Sequence, residues 1–168
     1  MQNEKERKRA SKAMEKIFIA DAMLGKLAKW MRIIGCDVEY FREISDNKIS
    51  ERAFHSGRII LTRDTMLIRR KINRENCFFV KHDHYQDQLK QVVKAFSIDP
   101  MENLFTRCLL CNKKLLTIDK ISVADSVPEY VYYTMDNFKT CPSCNRLYWK
   151  ATHKNNVVKQ LKKILELK

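Results

Sequence analysis

Ile17-Phe18-Ile19-Ala20-Asp21 is a short apolar run that stops on a carboxylate, and its reading decides the architecture of the chain. Such a run suits a strand buried within a core, with the aspartate marking the point where it emerges. The pattern then turns helical. Leu24, Leu27, Met31 and Ile34 recur at the spacing of one helix face, with Lys26, Lys29 and Arg32 pointing elsewhere and Gly35 as the stop. Val38 to Phe41 is a second strand. Ser45 or Asp46 can cap a helix through Ser56, with Ile49, Ala53 and Phe54 directed inward and Gly57 ending it. Arg58 to Thr62 is a third strand, and Arg63-Asp64 leads into a short helix built on Met66, Leu67 and Ile68. Cys77 to Val80 is the fourth strand, followed by His82-Asp83-His84 and a helix over Tyr85 to Phe96. Four strands alternating with four helices predict a parallel sheet with helices packed against it, an α/β domain over residues 17–102.

Outside this domain the composition changes. Residues 1–16 alternate Lys, Arg and Glu with little to bury, and form a charged extension. Asp99-Pro100 breaks the helical pattern and places a boundary near there. Beyond it come Cys108-Leu-Leu-Cys111 and Cys141-Pro-Ser-Cys144, two C-x-x-C pairs that supply the four thiolates of a closed structural zinc site. Two disulfides or free thiols are the alternative. Lys114 to Ile118, Val131 to Thr134 and Arg146 to Lys150 read as strands, so residues 103–168 form a small β-rich zinc ribbon closed by an amphipathic basic helix over Asn155 to Leu167. No internal repeat stands out.

The chain carries a formal charge of +13, and from Phe105 onward 12 basic residues face 5 acidic ones. A surplus of this size points to a polyanion, nucleic acid before a membrane surface. No apolar run is long enough for a membrane span, and the start lacks the apolar stretch of a secretory signal, so a cytoplasmic location with reduced thiols is expected. Cys36 and Cys77 sit among apolar residues and read as small buried side chains.

Each strand is followed by an aspartate: Asp21, Asp46, Asp64 and Asp83. In a parallel α/β sheet those positions share the carboxyl edge, where ligands bind. Clustered carboxylates repel unless cations neutralise them, so the pattern predicts Mg²⁺ or Mn²⁺ and water activation against a phosphodiester. Asp46 and Asp64 also suit helix N-caps, and Asp83 can cap the helix after it. Lys26, Arg63 and the basic stretch with Trp149, Lys150 and His153 are candidates for nucleic-acid contact; Tyr148 reads more as ribbon core.

Three motifs in order, Asp21-Ala-Met-Leu-Gly-Lys-Leu-Ala-Lys-Trp-Met-Arg-Ile-Ile-Gly35, Gly57-Arg-Ile-Ile-Leu-Thr-Arg-Asp64 and Cys141-Pro-Ser-Cys144 with Tyr148-Trp149 and Thr152-His153, resemble the Mut-seven C-terminal ribonuclease family. The resemblance covers about Phe18 to His153 and implies a PIN-like nuclease domain followed by a zinc ribbon. It implies a metal-dependent endoribonuclease, with Asp21 and Asp64 matching the acidic positions most directly, Asp46 as a third and Asp83 as a weaker fourth. Ala151 departs from the pattern, standing where a glycine is common. The expected function is RNA cleavage with structural zinc and catalytic Mg²⁺ or Mn²⁺, acting on RNA alone or within a ribosome or RNA-processing complex. The alternative is a noncatalytic RNA- or ribosome-binding adaptor on the same fold.

Overall fold

The computed structural model describes residues 16–149 and 153–167. The N-terminal extension expected over residues 1–16 and the Lys150 to Thr152 stretch lie essentially outside those residues. Strands β1 (Ile17–Ala20), β2 (Asp37–Tyr40), β3 (Ile59–Thr62) and β4 (Cys77–Phe79) form one parallel sheet in the order β2-β1-β3-β4. Helices α1 (Gly25–Ile33), α2 (Asp46–Ser56), α3 (Thr65–Arg69) and α4 (Tyr85–Phe96) connect and follow them, with 3-10 turns at Ala22–Leu24 and Lys71–Asn73. The expected alternation is therefore present.

Side-chain alternation along the strands sorts the helices between the two faces of the sheet. Phe18, Ala20 and Leu61 point to one face and share a core with Leu27 and Met31 of α1 and Leu89 and Val92 of α4. Ile19 and Ile60 point to the other and pack against Ile49 and Ala53 of α2 and Leu67 of α3. Phe54, expected inward, is exposed. Ile49 and Ala53 lie four residues apart on the buried stripe, and Phe54 falls one residue past it. Met66 is likewise exposed while its neighbour Leu67 is fully buried.

Gly57 ends α2 in the left-handed conformation (φ +67°) with open space around it. Gly35 (φ +89°) has a second reason to be glycine: a Cβ there would lie 2.2 Å from the Asn103 carbonyl oxygen. The chain after Pro100 thus passes directly over the end of α1, and the Phe105 N–H donates to the Ile33 carbonyl at 2.9 Å.

The second sheet is antiparallel, β5 (Leu116–Ile118), β6 (Phe138–Thr140) and β7 (Leu147–Trp149) in that order. Val131 to Thr134 is not a strand but lies in helix α5 (Glu129–Thr134). Its aromatic and β-branched residues favour a strand locally. Tertiary packing decides otherwise: Val131, Tyr132 and Met135 meet the core of Val123, Val127 and Phe138, while Tyr130 and Tyr133 face solvent, a helical division. Pro128 presets the start of the turn, and its carbonyl accepts the Tyr132 N–H at 3.0 Å.

Helix α6 (His153–Leu165) was expected to belong with the ribbon. Instead it packs along α4 and buries Leu161 and Ile164 in the same core as Phe18 and Leu27. Gln160 donates to the Tyr85 hydroxyl at 2.9 Å, at the start of α4.

Two modules meet through a buried polar joint. Strand β2 is an edge, yet its Val38 N–H donates to Asn112 Oδ1 (3.0 Å) and its Val38 carbonyl accepts from Arg32 Nε (2.9 Å). Arg32 also donates to the carbonyls of Leu109 and Leu110, both at 2.9 Å, in the first cysteine turn. Arg107 donates to the Gly35 carbonyl and pairs with Asp37 at 3.2 Å. The first cysteine turn thereby meets the β2 edge of the main sheet at Val38.

Candidate active site and metal centre

Strand order fixes where a ligand can enter. From β1 the chain leads through α1 to β2 on one side, and from β3 through α3 to β4 on the other. The crevice past the carboxyl ends of β1 and β3 is therefore the switch point of the sheet. Asp21 follows β1 directly and Asp64 lies two residues beyond β3. Thr62, the last residue of β3 and fully buried, ties them together: its Oγ1 donates to Asp21 Oδ2 at 2.7 Å and accepts the Asp64 N–H at 2.9 Å.

Both aspartates also cap the turn after them. Asp21 Oδ1 accepts the Ala22 N–H (2.6 Å), and Asp64 Oδ1 accepts the Met66 N–H (2.7 Å). The capping and ligand readings are therefore not exclusive, because each carboxylate oxygen has a second lone pair. The two segments repeat one short pattern, Asp21-Ala-Met-Leu24 and Asp64-Thr-Met-Leu67. In each the leucine is buried and the methionine exposed. The only sequence signal of Thr62 is a hydroxyl closing a strand two residues before an aspartate.

Asp46 and Asp83 lie past the ends of β2 and β4 on the same edge, each held by an arginine. Asp46 Oδ2 accepts from Arg70 at 3.1 Å, and Arg70 also donates to Asn47 Oδ1 at 2.5 Å. Asp83 forms an ion pair with Arg63. Among the described residues the four aspartates form no group of three within 4.8 Å of one another. Lys26 is exposed in the first turn of α1, beside Asp21 in the chain. Cys77 is no nucleophile: burial and then the Asp21 carboxylate push its thiol up to about 11.

Cys108, Cys111, Cys141 and Cys144 are brought together, all sulfurs within 4.8 Å of one another. Separations of 3.3 Å (Cys108–Cys111), 3.2 Å (Cys111–Cys141) and 3.7 Å (Cys108–Cys144) approach the edge of about 3.8 Å that a tetrahedron with zinc–sulfur bonds of about 2.3 Å requires. The donor set fits zinc. Its two halves are copies: Cys108-Leu-Leu-Cys-Asn-Lys113 and Cys141-Pro-Ser-Cys-Asn-Arg146. In each the first cysteine N–H donates to the carbonyl five residues on, and the asparagine, at φ 66° and 53°, donates back to that cysteine. Asparagine tolerates this left-handed conformation better than other side-chain-bearing residues.

Burial opposes ionisation of Cys108, but the Cys111 N–H, the Tyr148 hydroxyl and other donors outweigh it and hold the thiol down to about 6. Burial and the neighbouring sulfurs push Cys111 up to about 12. Crowded thiols divide in this way when they must share protons, and a dication removes the conflict. Tyr148 lies 3.1 Å from the Cys108 sulfur and accepts the Leu109 N–H, so it belongs to the metal turn. Trp149 is half-buried against the ribbon core. Lys150 and the His153 side chain lie outside the described residues.

A parallel α/β sheet with helices on both faces thus sits beside a small antiparallel sheet and a four-cysteine cluster that fits zinc. The chain belongs to the Mut7-C RNAse domain family, whose model matches residues 16–161. Membership carries a ribonuclease-like function, with RNA as the implied substrate. Comparisons with curated proteins and with solved structures return no match. None of the helices among the described residues is long and apolar enough to cross a membrane.

Proposed function

We propose that the protein is a metal-dependent endoribonuclease whose reaction centre is the Asp21–Asp64 pair. The observation that carries this reading is the Thr62 hydroxyl bridging the two segments at the switch point. Magnesium typically binds through one or two carboxylates and completes its shell with water and substrate phosphate, so two aspartates suffice. Bound there, Mg²⁺ or Mn²⁺ supplies charge neutralisation and the acidity needed to activate water against a phosphodiester.

The chain's own groups do the positioning. Thr62 holds Asp21 Oδ2, and the Ala22 and Met66 amides hold one oxygen of each carboxylate, so both enter the reaction already oriented. Lys26 and Arg63 bring positive charge to the scissile phosphate. The Arg63–Asp83 and Arg70–Asp46 pairs are partly exposed, of the kind worth ~0–1 kcal/mol, so an RNA phosphate can take over the arginine and free the aspartate for the ion. Asp46 and Asp83 then act at the margin of the site. Zinc remains structural, shaping the basic ribbon that meets the RNA backbone.

The test is cleavage of single-stranded and structured RNA under Mn²⁺ by wild type, Asp21→Asn/Asp64→Asn and Thr62→Val. The double variant is expected to lose cleavage, and Thr62→Val to keep it at a rate reduced on the order of tenfold, the scale of one misplaced hydrogen bond. Equal cleavage by the double variant overturns the proposal. The arginine caps on Asp46 and Asp83 favour one second reading, a binding adaptor with a silenced acidic edge. RNA affinity independent of Mn²⁺, with no cleavage in any variant, is its expected signature.

A further inference from the structure

Between the two modules lies a cleft of about 730 Å³, walled by α1, the ribbon sheet and α6. Its lining combines aliphatic side chains with Phe105, Tyr148 and Trp149, the buried Trp30 whose ring stacks on Tyr85, and the cations Lys29, Lys139 and the Asp37-paired Arg107, and holds no aspartate or glutamate. Both tryptophans of the chain are there. Lys29 and Lys139 form no ion pair among the described residues, unlike the arginines of the acidic edge. An open, largely apolar cleft of this volume is in the range of small-ligand sites. Unpaired cations beside flat aromatic surfaces select a ligand with a planar ring and an attached anion.

We propose that this cleft takes a nucleobase of single-stranded RNA, stacked against the aromatic lining, with its phosphate at Lys29 and Lys139. The inference deepens the ribonuclease reading and rests on RNA being the substrate. Helix α1 supplies the connection between the two places. It begins beside Asp21, and Lys26 and Lys29 are both exposed one turn apart on it. At 1.5 Å per residue Lys29 sits about 6 Å along the axis from Gly25. A strand with one phosphodiester at the acidic pair can therefore follow α1, phosphates on the two lysines, and turn a base into the cleft. Stacking on aromatics tolerates any base, so the site anchors unpaired RNA with little sequence preference.

The position of Trp30 and Trp149 makes the inference directly readable. Full-length zinc-loaded protein is titrated, without added Mg²⁺ or Mn²⁺, with fluorescein-labelled hexauridylate and hexaadenylate, following anisotropy, and with the unlabelled forms and UMP and AMP, following tryptophan emission. Both oligonucleotides are expected to quench the emission. Lys29→Ala/Lys139→Ala is expected to weaken their binding roughly tenfold, and Thr117→Phe, which fills the cleft from β5, by a similar factor. Lys94→Ala, on α4 and outside the cleft lining, is expected to stay within twofold. Trp149→Ala is added as the stacking variant; the lysine pair keeps the test decisive should that variant fold poorly. Competition by UMP or AMP supports a base site that also accepts free nucleotide, and no competition with variant-sensitive oligonucleotide binding supports a base presented within RNA. Oligonucleotide affinities within twofold of wild type for both the lysine pair and Thr117→Phe, with no quenching, overturn the inference and leave the Asp21–Asp64 reading standing. Loss of binding in these variants while Asp21→Asn/Asp64→Asn cleaves normally does the reverse.

Discussion

At the scale of single residues, Asp37 shows how a side chain outside the reaction centre serves both modules. It accepts from Arg58 and from Asn112 at 2.5 and 2.8 Å and pairs with Arg107 at 3.2 Å. Burial works to raise its pKa, but the Arg58 and Asn112 hydrogen bonds and the arginine charges outweigh it and hold the carboxyl below the usual range. The folded state thus binds fewer protons here than the unfolded chain, whose aspartate titrates near ~3.9. The stabilisation is fully present above that value and is lost as pH falls through the lower folded pKa. Urea midpoints measured from pH 5 down to 2 are expected to fall more steeply for wild type than for Asp37→Asn, which is already weaker at neutral pH. Parallel curves would remove Asp37 from the acid response.

Individual residues also mark how far the sequence could be read. The strand-end aspartates and the four cysteines carry local signatures, because an abrupt polar stop and a two-residue spacing are visible without the fold. Arg32 and Asn112 carry none, and Thr62 only a hydroxyl at the end of its strand. Their importance comes from partners 41 to 78 positions away, Asp21 for Thr62, Leu109 and Leu110 for Arg32, and Val38 and Asp37 for Asn112. Asp46 and Asp83 follow β2 and β4 in the chain, but their arginine partners arrive from other loops.

At the scale of elements, the helical turn at Glu129–Thr134 shows why a β-rich tetrapeptide is weak evidence: Val-Tyr-Tyr-Thr has strand propensity, and the ribbon core selects a helix stripe from it. Helix α6 shows the converse. Its amphipathic spacing was plain, but periodicity says nothing of which core the apolar side enters. The edge strand β2 gives a sharper test, since one side chain satisfies its Val38 N–H. Asn112→Ala leaves that buried donor open and is expected to cost ~1–3 kcal/mol. Hydrogen exchange is the suitable measurement, with protection at the Val38 amide falling well before that of Ile60 in the sheet centre. Unchanged exchange at Val38 would show that another acceptor takes over.

At the scale of the molecule, the proposed function divides one task between the two sheets. On that proposal the parallel sheet supplies the Asp21–Asp64 pair and the small antiparallel sheet supplies basic and aromatic surface, with α6 packed against α4. Arg32 sits where these meet: it is buried, donates to both modules, and feels the charge of Cys108 and Cys111. With Zn²⁺ bound, four thiolates would leave two net negative charges, and the metal turn would then compensate the buried guanidinium beside it.

The joint at Val38 ties solubility to metal supply. The cysteine turn that could hold zinc also carries Asn112, the acceptor for the Val38 N–H on the edge strand β2, so if zinc is bound there, stripping it should loosen Asn112 and open β2 to strand addition by a second copy. Protein treated with a zinc chelator is expected to scatter light and grow into β-rich assemblies as concentration rises, with zinc returned early rescuing the monomer. A chelated sample that releases its four thiols and stays monodisperse would refute this. On this account a cell short of zinc would lose the protein to precipitation while its acidic pair was still intact.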